Sequence, residues 1–131
     1  MQDLRSFLNE LEKKTPHLML KVGKPVSPRF EVSGIARRLA EDKKYPTIIC
    51  NNVIGFDMPL VVNVAIGPEA QRLALGDAAG NREKLLSKLQ NPMKPKIVAT
   101  GPVRDIVKTG TDVDLGELPI VTHAEKDGGP Y

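Results

Sequence analysis

The sequence predicts an α/β fold, a mixed β-sheet packed with about four helices. Two observations carry it. Apolar residues recur at helical spacing in four separate stretches, and short apolar runs bounded by proline, glycine or asparagine lie between them. The last third changes character, with strand-like runs following one another and no further helical stripe. No internal repeat or low-complexity segment interrupts the order.

Leu4, Phe7, Leu8 and Leu11 define an opening amphipathic helix, with Asp3 as its cap and Pro16 as its stop. His17 to Val22 alternates Leu18, Leu20 and Val22 on one face and reads as a strand ended by Gly23-Lys24-Pro25. Ser27-Pro28 predicts a second helix start, because serine supplies an acceptor to the first-turn amides and proline has no amide to leave unpaired. Its buried stripe is Val32, Ile35, Ala36 and Leu39, and it ends near 42–44. Thr47 to Cys50 reads as a short buried strand, followed by turn chemistry over 51–57.

Leu60 to Ala65, enclosed by Pro59 and Gly67-Pro68, is too short for a helix and reads as a central strand. Pro68-Glu69 begins a third helix with Ala70, Leu73 and Ala74 inward and Gly76 near its end. A fourth begins near Asn81, presents Leu85, Leu86 and Leu89, and closes at Asn91-Pro92. Lys96 to Thr100 and Val103 to Lys108 are two strand-like runs separated by Gly101-Pro102. Thr109 to Asp112 is a turn, Ile120 to Thr122 a short apolar run, and His123 to Gly129 a polar loop.

With 131 residues, the chain is long enough for a single core without disulfide or metal staples. One cysteine, no charged-then-apolar leader and no long apolar run predict a cytoplasmic chain without a membrane span. The net charge of +3 is distributed among acids, as in Glu10-Glu12-Lys13-Lys14 and Glu41-Asp42-Lys43-Lys44, so no phosphate-tracking stripe forms and nucleic acid is not an expected partner.

A search for chemistry returns little. There is no glycine-rich phosphate loop, and Gly23-Lys24 lacks both the upstream glycine and the following hydroxyl residue of one. Cys50 in an Ile-Ile-Cys strand reads as a small buried hydrophobe, and His17 beside Pro16 as a surface or edge residue. Asp112 and Asp114 read as turn and cap residues, with no third ligand for a metal. The densest segment is Thr122 to Tyr131, where His123, Glu125, Lys126 and Asp127 sit beside a permissive Gly128-Gly129 backbone; a charged turn is favoured over catalysis there.

The order of several short pieces resembles the N-terminal region of the UbiD family of carboxylases and decarboxylases. The pieces are Asp3 to Leu8, then Pro25-Val26-Ser27-Pro28 leading into Ile35 to Leu39, then Asn52 to Pro59, then Leu73 to Gly76. Gly101-Pro102-Val103, Thr111 to Leu115, Leu118-Pro119 and the His123 to Tyr131 loop complete the series. Members often carry a second histidine where this chain has Ala124, so no paired-histidine role is assigned.

The resemblance implies an enzyme that adds or removes CO2 on aromatic, heteroaromatic or unsaturated acids with prenylated FMN, a divalent metal (Mn or Mg) and K. The cofactor carries the chemistry and a Glu-Arg-Glu network handles protons. It also implies an α/β domain over 1–110 and a linker over 111–131 leading into a split-barrel flavin domain absent from this chain. The catalytic, cofactor-binding and metal-binding residues then lie beyond Tyr131, so none is assigned here, and the chain alone is expected to hold no cofactor and to be inactive. Its expected partners are the remainder of a homo-oligomeric enzyme or a separate catalytic subunit. The alternative is a non-catalytic docking or assembly subunit.

Overall fold

The computed structural model describes residues 3–92 and 94–129. Pro130 and Tyr131, on which the expected approach to a further strand ends, lie outside the described residues.

Helix α1 spans Leu4–Lys14. Asp3 caps it as expected: its Oδ1 accepts from the Ser6 amide at 2.7 Å while Ser6 Oγ accepts from the Asp3 amide at 2.9 Å, so two donors without helical partners are satisfied reciprocally. Phe7 and Leu11 are its buried residues. The expected strand from His17 begins later, because Pro16–Leu18 forms a 3-10 turn and β1 spans Met19–Val22.

Helix α2 spans Glu31–Glu41 and carries the chain from β1 to β2, Thr47–Cys50, which pairs parallel with β1. The order β1-α2-β2 is thus a parallel crossover unit. Strand β3, Leu60–Val62, pairs antiparallel with β2 in the order β1-β2-β3. The sheet is mixed, as predicted, but its centre is β2. The sequence places the 60–65 run centrally; instead it is three residues long and forms an edge, because Asn63 and Ala65 turn to φ of 60° and 58° and leave extended geometry.

Helix α3 spans Pro68–Leu75 and α4 spans Arg82–Gln90. Gly76, at φ 60°, ends α3 as expected, and Asn81 caps α4 by accepting from the Lys84 amide at 2.9 Å.

Two apolar clusters follow from this order. Val26, Val32, Ile48, Cys50 and Val53 pack between α2 and one face of the sheet, with Leu20, Ile35, Ala36, Leu39 and Val62 around them. Phe7, Leu11 and Ala70 join α1 to α3, with Leu8, Leu18, Met19, Ala65 and Leu73 around them. Alternation along β2 sends Ile48 and Cys50 to one side and Thr47 and Ile49 to the other. Thr47 is buried, and its hydroxyl donates to the Asn63 carbonyl at 3.2 Å, which removes the penalty of an unpaired polar group.

The predicted start of α2 at Ser27-Pro28 is wrong by three residues. Residues 28 and 30 bond instead to Thr122, the Phe30 amide donating to the Thr122 carbonyl at 2.9 Å and the Thr122 amide to the Pro28 carbonyl at 3.1 Å. Ser27 Oγ accepts from the Arg29 amide, and Glu31 Oε2 accepts from the Ser27 amide. The strand-like runs 96–100 and 103–108 form no strand, and Ile120 to Thr122 contributes only a single-residue bridge from Thr122 to Arg29. The first two runs have no facing strand to pair with among the described residues, and β-propensity alone does not hold an unpaired segment extended.

Helix α4 buries none of its residues; Leu85, Leu86 and Leu89 all remain exposed. Asp77 anchors it through Lys84 at 3.3 Å and Lys88 at 3.0 Å. Hydrogen bonds from Lys88 and Lys84, and then their charges, hold the Asp77 carboxyl below its ordinary pKa. A depressed carboxyl pKa supports the folded state above the ordinary carboxylate range and loses that support as pH falls through the lowered value.

Three outcomes follow. Ile48→Ala should destabilise the chain by about 3 kcal/mol in denaturant titration, as a fully buried central residue. Lys43 occupies the left-handed position after α2, with its amide on the Ala40 carbonyl and that of Lys44 on the Leu39 carbonyl. Glycine serves that geometry without a Cβ conflict, so Lys43→Gly should raise stability by about 0.5–1 kcal/mol. Amide-exchange protection of α4 should weaken on acidification below the carboxylate range, and Asp77→Asn should remove that pH dependence.

Candidate functional site

The chemically dense C-terminal loop folds back onto the start of α2. Phe30, at φ 68° and ψ −31°, forms a tight turn closed by the Glu31 amide on the Arg29 carbonyl at 2.9 Å. This is the strained hand of the three-residue turn for an L-residue. The backbone bonds to Thr122 hold it from one side, and the Arg29 guanidinium lies 5.1 Å from the Phe30 ring centroid.

One turn into α2, Ser33 Oγ lies 2.8 Å from His123 Nδ1. Phe30, Ser33, Gly34, Arg37, His123, Ala124 and Glu125 line an open groove of about 560 Å³ at this junction. Asp127 organises the loop, its Oδ2 accepting from the His123 amide at 2.7 Å and the Ala124 amide at 2.8 Å. That carboxylate acts on backbone and not on the imidazole. Glu125 and Lys126 are exposed, and among the described residues neither side chain has a hydrogen-bond or ion-pair partner that would set a proton-transfer geometry. The loop is therefore held as a charged turn, docked on α2.

The other sequence candidates are dispersed. Cys50 is fully buried, and burial first, then the Glu31 charge, pushes its thiol pKa up, which suits a packing residue and not a nucleophile. His17 is exposed and faces Glu69, Nε2 to Oε2 3.3 Å. Asp112 ends a 3-10 turn, and Asp114 caps the next one by accepting from the Gly116 amide at 2.7 Å.

Among the described residues no three His, Cys, Asp or Glu side chains converge as a metal set. At Gly116 a Cβ would meet the Asp114 side chain, whereas at nine further glycines it would meet nothing within 4 Å, so those nine form no tight phosphate cradle. No described helix is long and apolar enough to cross a membrane.

What the chain does present is apolar surface. Across the stretch 96–118, Ile97 is 95% exposed, Val103 89%, Ile106 81% and Val107 70%, with Val98, Val113, Leu115 and Leu118 exposed as well. An accumulation of this kind marks a surface that buries against something else. The sequence patterning detects these residues as strand-like but cannot supply their partner. The pairing of Ser33 with His123, ninety positions apart, carries no local signal at all.

Several known proteins are similar to this chain. A family model for the 3-octaprenyl-4-hydroxybenzoate carboxy-lyase N-terminal domain matches residues 10–90. The UbiD-class enzyme HmfF from Pelotomaculum thermopropionicum, in complex with FMN, superposes at TM-score 0.82 with 29% identity over 97% of this chain and 28% of its own. An evolved dimeric form of that enzyme, in complex with prFMN, gives TM-score 0.84 with 28% identity over 99% of this chain and 30% of its own. The vanillic acid decarboxylase of Sedimentibacter hydroxybenzoicus, in open form with a truncated ShVdcD, gives 0.78 with 27% identity over 100% and 30%. The chain thus spans less than a third of the length of these structures.

Asp127→Ala should leave the His123 and Ala124 amides without their acceptor. The expected result is faster exchange confined to residues 122–128 and a cost of about 1–2 kcal/mol to loop ordering, with β2 protection unchanged.

Proposed function

Because the chain belongs to the UbiD family, whose N-terminal domain it carries, we propose that it is the scaffolding N-terminal part of a prenylated-FMN-dependent carboxy-lyase. That enzyme interconverts an aromatic or unsaturated carboxylic acid with its decarboxylated product. The observation that carries this reading is the run of exposed apolar residues from Ile97 to Leu118, combined with the share of its structural relatives that the chain spans.

In this reading residues 1–110 form the α/β domain. Residues 111–131 form a linker, pinned to α2 through Thr122 and His123, that leads into a split-barrel flavin-binding domain. The exposed apolar residues from Ile97 onward are the surface that the flavin-binding part covers, whether it follows in the same chain or is supplied by a catalytic subunit. When bound, the modified flavin supplies the carbon–carbon bond chemistry. This chain's share is mechanical: the β2-centred sheet fixes α2, and α2 fixes the linker by which the flavin domain is approached.

In this reading the cofactor, its divalent metal and K are held by residues outside this chain. No residue of this chain is accordingly given a catalytic, cofactor-binding or metal-binding role. A cytoplasmic location and homo-oligomeric assembly of the complete enzyme complete the proposal. The alternative, a non-catalytic docking subunit, shares the same surface and differs only in where the flavin domain is encoded.

Gel filtration of the chain with prenylated FMN tests the assignment. The flavin absorbance should elute apart from the protein, and the chain should bind a hydrophobic dye whose fluorescence falls in the Ile97→Asp, Val103→Asp, Ile106→Asp variant. Stoichiometric co-elution of flavin would place the cofactor site on this chain and refute the proposal.

A further inference from the structure

A second concave site lies away from the docked loop. The 3-10 turn at His17 and Leu18, the α2–β2 connection Lys43 to Pro46, and the junction Ile66 to Glu69 before α3 enclose a cleft of about 360 Å³. That volume lies within the range of small-ligand sites, which combine an apolar lining with a few converging polar groups. Leu18, Pro46, Ile66 and Pro68 supply apolar walls, and the half-exposed Tyr45 ring adds an aromatic one.

The polar groups are mostly cationic. Lys43 and Lys44 line the cleft with no ion-pair partner among the described residues. Glu69, the one carboxylate of the lining, faces His17. Lys43 also holds the left-handed conformation that glycine would occupy at less cost. Strain kept by a charged residue at the mouth of an apolar cleft is an observation from which function can be argued.

The geometry points to a binding site here for a small organic monocarboxylate with an apolar body, its hydrocarbon part against Leu18, Tyr45, Pro46 and Ile66 and its carboxylate at Lys43 and Lys44. The site shares no lining residue with the docked His123 loop and none with the exposed 96–118 surface.

Titration of the isotope-labelled chain with benzoate, followed by amide NMR, tests it. Saturable shifts should appear at Leu18, Tyr45, Ile66 and Gly67 and not around His123. The variant Lys43→Gly, Lys44→Gln removes both charges while relieving the strained position, so it should stay folded and bind benzoate about tenfold more weakly. Absence of saturable shifts, or equal affinity in that variant, would overturn the proposal. Inorganic phosphate provides the second arm: shifts of the same amides at the same affinity would show that the cleft selects charge alone and would overturn the assignment of an apolar-bodied ligand.

Discussion

The structure depends on the burial of one four-residue strand. Among the described residues β2 is the only strand with two neighbours, parallel to β1 and antiparallel to β3, and three of its four residues are buried. Ile48 and Cys50 face the cluster under α2, while the buried hydroxyl of Thr47 ties the strand to the turn after β3. Its place is fixed by the ladders to both neighbours and by the packing of Ile48 and Cys50 under α2. It therefore fixes the height of α2 against the sheet. Through Phe30, Ser33 and the bridge from Arg29 to Thr122, α2 in turn sets where the C-terminal loop lies.

The consequence is a division of the chain into a packed part and an unsatisfied part. Up to α3 the buried apolar residues gather in two clusters. From Leu85 to Leu118 the described apolar residues stay exposed, Leu89 at 67% and Ile97 nearly fully, before Val121 is buried again. Exposed apolar residues over more than thirty positions are the kind of surface that interaction sites use. Kinship with UbiD-class enzymes gives that surface a proposed occupant, the flavin-binding part of such an enzyme. In that arrangement the scaffold would contribute orientation and surface, and the cofactor chemistry would sit elsewhere.

Much of this was legible in the sequence. The four helices were marked by spacing and caps, with Asp3, Asn81 and Gly76 acting as their chemistry predicts, because these signals are local. The Thr47–Cys50 strand was legible because burial on both faces leaves a continuous apolar run. The errors have a common cause in non-local pairing. Ser27-Pro28 is a sound helix start in isolation, yet Thr122 claims the adjacent backbone. The 60–65 run looks central, yet among the described residues no further strand arrives beyond β3, and the runs after 96 look like strands but meet no partner there. The candidate loop was legible as a cluster of residue types. Its attachment to Ser33 was not, since a contact across ninety positions is set by the fold and not by the neighbours in sequence. The resemblance to the UbiD family rested on the order of short motifs, and the match over residues 10–90 supports it.

The central claim is that the 96–118 surface is completed only by a flavin-binding partner. Hydrogen exchange, followed by mass spectrometry on the chain alone and within an enzyme that includes the flavin-binding domain, addresses it most directly. The account predicts near-intrinsic exchange over 96–118 in the isolated chain, strong protection of the same amides in the larger enzyme, and equal protection of β2 in both. Identical exchange over 96–118 in the two states would contradict it.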